Sequence, residues 1–179
     1  NGMDALTGGD ILATAPAKYS SSVEYGASST SQYMRNIAQV HCAGLGTRVL
    51  YTTAPYNSFD THATQMTAHA NLITDVSHIA SDFYADLKEH NASENVLLLV
   101  FTEFGRRVHD NGSGTDHGSG GGAFIIGDSI QGGLYSEYPR LEPENWENGE
   151  DLEHTIDFRG VYGTLLEQWM NIEPSEIIG

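Results

Sequence analysis

A chain of 179 residues with 39% hydrophobic side chains is long and apolar enough for one good core, which excludes a disordered polymer. Its 24 acidic residues against 8 Lys and Arg give a formal net charge of −16, and the stretch from Glu137 to Glu176 holds eleven of the acids against Arg140 and Arg159. Such a field repels phosphate backbones and anionic lipid, so nucleic acid and membrane surfaces are excluded as expected partners.

Cys42 is the single cysteine, which rules out an internal disulfide and a cysteine-based zinc site. No run reaches the roughly eighteen apolar residues of a membrane span. The opening "NGMDALTGGD" lacks the charged-then-apolar pattern of a signal peptide. Position 1 is not Met, and the expectation is a C-terminal piece of a longer protein that associates with the missing N-terminal half or with another copy.

In chain order, residues 1–30 are rich in Gly, Ser, Ala and Thr with weak periodicity and read as loop or the remnant of an upstream segment. From Ser31, apolar positions at Met34, Ile37, Ala38, Val40 and Leu45 recur at three and four, predicting a helix that ends near Gly44 or Gly46. "RVLYTTA", Arg48 to Ala54, reads as a short strand. Met66, His69, Ala70, Ile73, Val76, Ala80, Phe83, Tyr84 and Leu87 then mark a long amphipathic helix from about Thr61, broken by "NASE". "NVLLLVFT" is a continuous apolar run, the pattern of a strand buried on both faces. "AFIIG" reads as one more strand, and residues 132–157 as an aperiodic excursion rich in Gly, Pro and acids. "DFRGVYGTLLEQWM" puts Phe158, Val161, Tyr162, Leu165, Leu166 and Trp169 on one helical face behind an N-cap at Asp157. The expected fold class is therefore α/β: a layered, mostly parallel sheet with helices on both faces, occupying residues 31–179.

In open α/β sheets, functional groups sit beyond the carboxyl ends of the strands. Three expected loops lie there: one carries Asp60 and His62, the next Thr102, Glu103 and Arg106, and the "GTDHG" loop Asp116 and His117. Two carboxylates and two imidazoles form a mixed oxygen and nitrogen set that suits zinc, manganese or iron better than calcium. Each residue also has an ordinary structural use. Asp60 would cap the helix beginning near Thr61, and His62 would be a solvated first-turn residue. Glu103 would pair with Arg106 or Arg107, and Asp116 would close an Asx-turn. The remaining histidines, His41, His69, His78, His90, His109 and His154, read as packing or surface residues.

"FDTH", "TEFGRRV" with "DNGSGTDHG", "GGLY" and "DFRGVYGTLLEQW", in that order, resemble the C-terminal half of a bacterial family known as domain of unknown function 1501. The likeness runs from about Ser31 to Gly179. The family is similar in fold to the alkaline phosphatase and sulfatase superfamily, and its members are typically exported with a twin-arginine signal. The resemblance implies a periplasmic or extracellular protein and a divalent metal, zinc or manganese. Asp60, His62 and His117 would correspond to one metal's ligands and Glu103 to the acid of a second, with Arg106 and Asp116 as candidate catalytic residues. The implied activity is hydrolysis of a small anionic substrate, a phosphate or sulfate ester, with the nucleophile outside this chain. Three departures stand against it: Phe104 stands where the superfamily places a His, Glu103 replaces an Asp, and the gap from Asp60 to His62 is short. Phe104 and the absent nucleophile favour a rival reading, a non-catalytic exported binding or surface protein that keeps the scaffold, whereas the retained ligand-like set favours the enzyme. A third is an α/β module whose polar loops are only caps and turns.

Overall fold

The computed structural model describes residues 2–54 and 58–178. It divides into two compact units, Asn1–Leu99 with Phe124–Ile130, and Val100–Ala123 with Gln131–Gly179.

The first unit is mainly helical. Helix α1 spans Gly2–Lys18, within the stretch expected as loop. Gly, Ala and Thr give that segment no apolar stripe, but Ala is the best intrinsic helix former, and Ala15 on this helix is buried. Helix α2, Ser29–Cys42, starts where the Ser28 hydroxyl accepts from the Ser31 amide and stops before Gly44, whose φ of 71° only glycine adopts without strain. Helix α3 covers Gln65–Glu89. The core lies between these two helices: Met34 and Ala38 of α2 meet Phe83 and Leu87 of α3, with Ile37, Ile79 and Val96 packed around them.

Only the C-terminal half of the α3 stripe is covered. Met66 is 91% exposed and Ile73 41%, although their spacing matches that of Phe83 and Leu87. Helical periodicity records which side chains share a face; cover depends on a facing element, and α2 reaches only the later turns.

After α3, Asn91 takes a positive φ, a 3-10 turn follows at Ser93–Asn95, and strand β1 occupies Leu98–Val100. It pairs with β4, Phe124–Ile126, and the Tyr84 hydroxyl of α3 faces the carbonyls of Val96 and Ile126 at 3.1 and 2.7 Å. The residues of β1 are half-buried. Arg48–Ala54, expected as a strand, has no regular structure, and Val49 and Tyr51 are 68% and 70% exposed. Without a ladder partner among the described residues, β-propensity alone does not hold a strand. Residues 55–57, in the loop expected next, lie outside the described residues.

The second unit is organised by a hairpin. Strand β2, Gly105–Asp110, pairs antiparallel with β3, Thr115–Gly118, in the register Gly105 to Gly118 and Arg106 to His117. A turn at Asn111–Gly114 joins them, closed by the Asn111 amide donating to the Gly114 carbonyl at 2.8 Å. The "GTDHG" stretch, expected as a loop, is thus largely strand. The acid-rich excursion contains order of its own: Pro143–Asn145 forms a 3-10 turn, and the Arg107 guanidinium pairs with Glu150 at 2.5 Å. Helix α4, Phe158–Thr164, has the expected cap at Asp157, which accepts from the Arg159 amide, and continues as a π-helical turn through Leu165–Trp169. A four-residue helix α5, Ser175–Ile178, follows. The strands seen among the described residues form two two-stranded ladders.

Candidate metal centre

In the first unit, the segment before α3 brings two expected ligands together. Asp60 Oδ1 and His62 Nε2 are 3.0 Å apart, with side chains 33% and 44% exposed. The edge of the neighbouring Phe59 ring meets His69 on the second turn of α3, centroids 6.0 Å apart, which fastens this segment to the helix. The N-cap of α3 is Thr64, held at a φ of 53°, so Asp60 lies four residues upstream of the cap and does not cap the helix.

In the second unit, His117 sits on β3 directly opposite Arg106 on β2. The Phe104 ring lies flat against the His117 imidazole, centroids 3.8 Å apart and planes 16° from parallel. The Arg106 guanidinium stands 5.2 Å from the Phe104 ring centre and donates through Nη1 to the Thr115 carbonyl at 2.6 Å. Phe104 is itself set by the Thr102 hydroxyl, which donates to its carbonyl at 2.9 Å. The result is a layered stack of cation, aromatic ring and imidazole in which each group restricts the next.

Glu103 is exposed in the bend after β1. The requirement that a buried carboxylate find a partner therefore does not apply to it. Asp116 accepts from the Asn111 side chain at 3.2 Å. Successive strand residues point to opposite faces, so Asp116 and His117 diverge although they adjoin in sequence. A cavity of about 270 Å3 borders the hairpin, lined by Arg106, Arg107, Gly120, Tyr138, Leu141 and Leu152. That is at the small end for a ligand pocket.

The stacking role of Phe104 was not anticipated from sequence, nor was the hairpin that fixes His117. The dipeptide Asn111-Gly112 between "GRRVHD" and "TDHG" is the signal that would have found the hairpin, because Asn-Gly favours the positive φ of tight turns, and Gly112 has a φ of 98°.

The chain belongs to the family described as protein of unknown function (DUF1501), whose family model matches residues 14–172. No curated protein and no solved structure matches it. No helix among the described residues is long and apolar enough to cross a membrane.

Proposed function

We propose that Asp60, His62 and His117 hold one divalent metal ion, zinc or manganese, and that the protein hydrolyses a small phosphate or sulfate ester there. The observation that carries this reading is the 3.0 Å approach of Asp60 Oδ1 to His62 Nε2. Two ligand atoms each about 2.0–2.2 Å from one ion, at right to tetrahedral angles, stand roughly 3.0–3.5 Å from each other. The spacing of that pair is thus one that two ligands of a single ion can take. His117 suits the third position chemically, since stacking on Phe104 engages the ring face while the lone pair of its unprotonated nitrogen lies in the ring plane.

A divalent ion, when bound, polarises the ester oxygen. Arg106 supplies the fixed positive charge that an anionic ester needs, and its bond to the Thr115 carbonyl orients it. Glu103 is assigned an outer role around that set, and Asp116, on the opposite face of β3 from His117, is left out of it. The wider proposal is an alkaline-phosphatase-like α/β scaffold in an exported protein, with the attacking group outside these residues. It is supported by the quoted motifs and by membership of the family.

One observation favours the rival, a scaffold that binds without turnover: Phe104 carries no ligand atom at the place where a second metal would need one. The test is metal content by mass spectrometry after loading the stripped protein with zinc or manganese, alongside hydrolysis of 4-nitrophenyl phosphate and 4-nitrophenyl sulfate. Metal retention with ester cleavage supports the hydrolase, retention without cleavage supports the binding scaffold, and no retention rejects the site.

A further inference from the structure

At the C-terminal end of α3, within the first unit, Asp86 is fully buried. Its Oδ2 accepts from the hydroxyls of Tyr19 and Tyr25, the latter at 2.7 Å. Its Oδ1 takes no hydrogen bond among the described residues and has His90 Nδ1 at 3.1 Å. A carboxylate removed from water requires a cation or a full set of donors. His90 stands where that cation is needed.

The surroundings of His90 lead to the same state from its own side. Nδ1 faces the Asp86 carbonyl at 2.9 Å as well as the carboxylate, and Nε2 faces the Ser20 carbonyl at 3.0 Å. A carbonyl oxygen only accepts. A neutral imidazole carries one N–H and one lone pair, so either tautomer would direct a lone pair at an acceptor, whereas the imidazolium satisfies both sides. His90 is also the C-cap of α3, where the helix dipole favours positive charge. Its ring stacks on Tyr19, centroids 5.2 Å apart.

We propose that His90 is a proton-operated latch: as the imidazolium it fastens the Tyr19–Tyr25 segment, which links α1 to α2, onto the end of α3, and on losing its proton it releases that segment. The groups facing it are Ser20 and Tyr19 from the segment, Asp86 and Glu89 from α3, and, beyond Tyr19, Arg35 of α2 at 6.0 Å from that ring. Asp86 also meets Tyr25, which Asp82 influences. Two acids thus lie against the imidazole and one cation lies behind Tyr19, a balance that favours the proton.

The Asp86 carbonyl facing Nδ1 is the chief cause that raises the proton affinity of His90, and burial opposes it. The latch contribution is therefore complete below the unfolded histidine range of about 6.5 and is lost as pH rises through the higher folded value. A second fastening has the opposite sign. Glu89 accepts from the amide and hydroxyl of Ser22, which lowers its own proton affinity, so that contact is lost toward acid. The segment is held most tightly between the two titrations.

The experiment uses the full 179-residue chain labelled with 15N, following the His90 ring nitrogens and the exchange protection of the Ser22 amide across the pH range. Both ring nitrogens should carry protons at pH 6, and Ser22 protection, corrected for intrinsic exchange, should fall about tenfold for each pH unit of difference between folded and unfolded titration. His90→Gln, which keeps a side-chain donor but has no titrating group, should leave that protection flat over the same interval. A bare Nδ1 or Nε2 at pH 6, including the case in which the proton resides on Asp86, would overturn the latch. So would Ser22 protection that ignores the titration of His90.

Discussion

Gly105 and Gly118 pair across the β2–β3 ladder so closely that a Cβ on Gly105 would stand 2.7 Å from the Gly118 carbonyl oxygen. The other near atoms, the Ser119 carbonyl carbon at 2.7 Å and the Gly120 carbonyl oxygen at 2.8 Å, are also backbone, so no side chain can swing away. Phe104 and His117 adjoin this pair, and their stacking depends on the close approach of the strands. Gly105→Ala should cost about 1–3 kcal/mol through overpacking. Gly122→Ala, with nothing within 4 Å of the added carbon, should stay within about 0.5 kcal/mol. Denaturant unfolding of both variants checks the contrast, and equal losses would mean that the ladder tolerates the extra methyl.

The half-covered stripe of α3 gives a second contrast. Leu87 is fully buried between α2 and α3, and its truncation to Ala should cost about 2–5 kcal/mol. Ile73, 41% exposed, should cost less than about 1 kcal/mol on the same change. The two residues are indistinguishable by helical spacing. Comparable losses in thermal unfolding would show that the N-terminal half of α3 is covered after all.

That contrast shows how far the sequence was legible. Helices α2 and α3 and the Asp157 cap were readable because spacing at three and four, and a polar residue just before an apolar face, are local properties. Local pattern could not say which turns of α3 meet a partner. It also missed the β2–β3 hairpin, because Gly105, Arg106 and Arg107 give a strand with no apolar alternation, held by ladder bonds and the Asn111 turn. At the candidate metal centre, the pairing of Asp60 with His62 was within reach, two residues apart on one segment. The contact of Phe104 with His117 required the register, and the burial of Asp86 beside His90 required segments more than sixty residues apart in sequence.

The two phenols on Asp86 make a spectroscopic prediction. Burial, followed by the hydrogen bond to Asp86 and its charge, raises the proton affinity of both Tyr19 and Tyr25. In the native chain these two should stay un-ionised as pH passes through the ordinary tyrosine range near 10, and their phenolate absorbance should appear only with unfolding. Tyr25→Phe removes a donor from a buried carboxylate and should destabilise by about 1.5–3 kcal/mol. Full tyrosine ionisation near pH 10 with the fold intact would contradict this arrangement.

At the other end of the chain, the Asp157 carboxylate is held down to about 2 by the Arg159 side chain and by the Arg159 amide that it caps. A depressed carboxylate stabilises the fold above its unfolded value near 3.9 and loses that contribution as pH falls through the folded one. Helix α4 should therefore keep its N-terminal turn at pH 4 and fray toward pH 2. Asp157→Ala should fray it at neutral pH, read as faster amide exchange at Arg159 and Gly160. Unchanged exchange in that variant would show that the neighbouring packing, not the cap, holds the turn.

For the proposed metal centre, the decisive variable is protonation of the two imidazoles. A metal takes neutral histidine, so protons and the ion compete for His62 and His117, and zinc affinity should weaken toward acid. With two histidines in the set, the fall should approach a hundredfold per pH unit once both are protonated in the free protein, and a tenfold slope would mean that only one is a ligand. Replacing His62 or His117 by Ala should each weaken zinc binding by at least about tenfold, by analogy with the loss seen when even a supporting partner of a metal ligand is removed. His78→Ala on α3 should bind as the parent does. Calorimetric titration of zinc into the stripped chain at several pH values measures both the slope and the variants. Should His117→Ala retain the parent affinity while His62→Ala loses it, the ion belongs to the Asp60 and His62 pair alone, and His117 is held on Phe104 for packing.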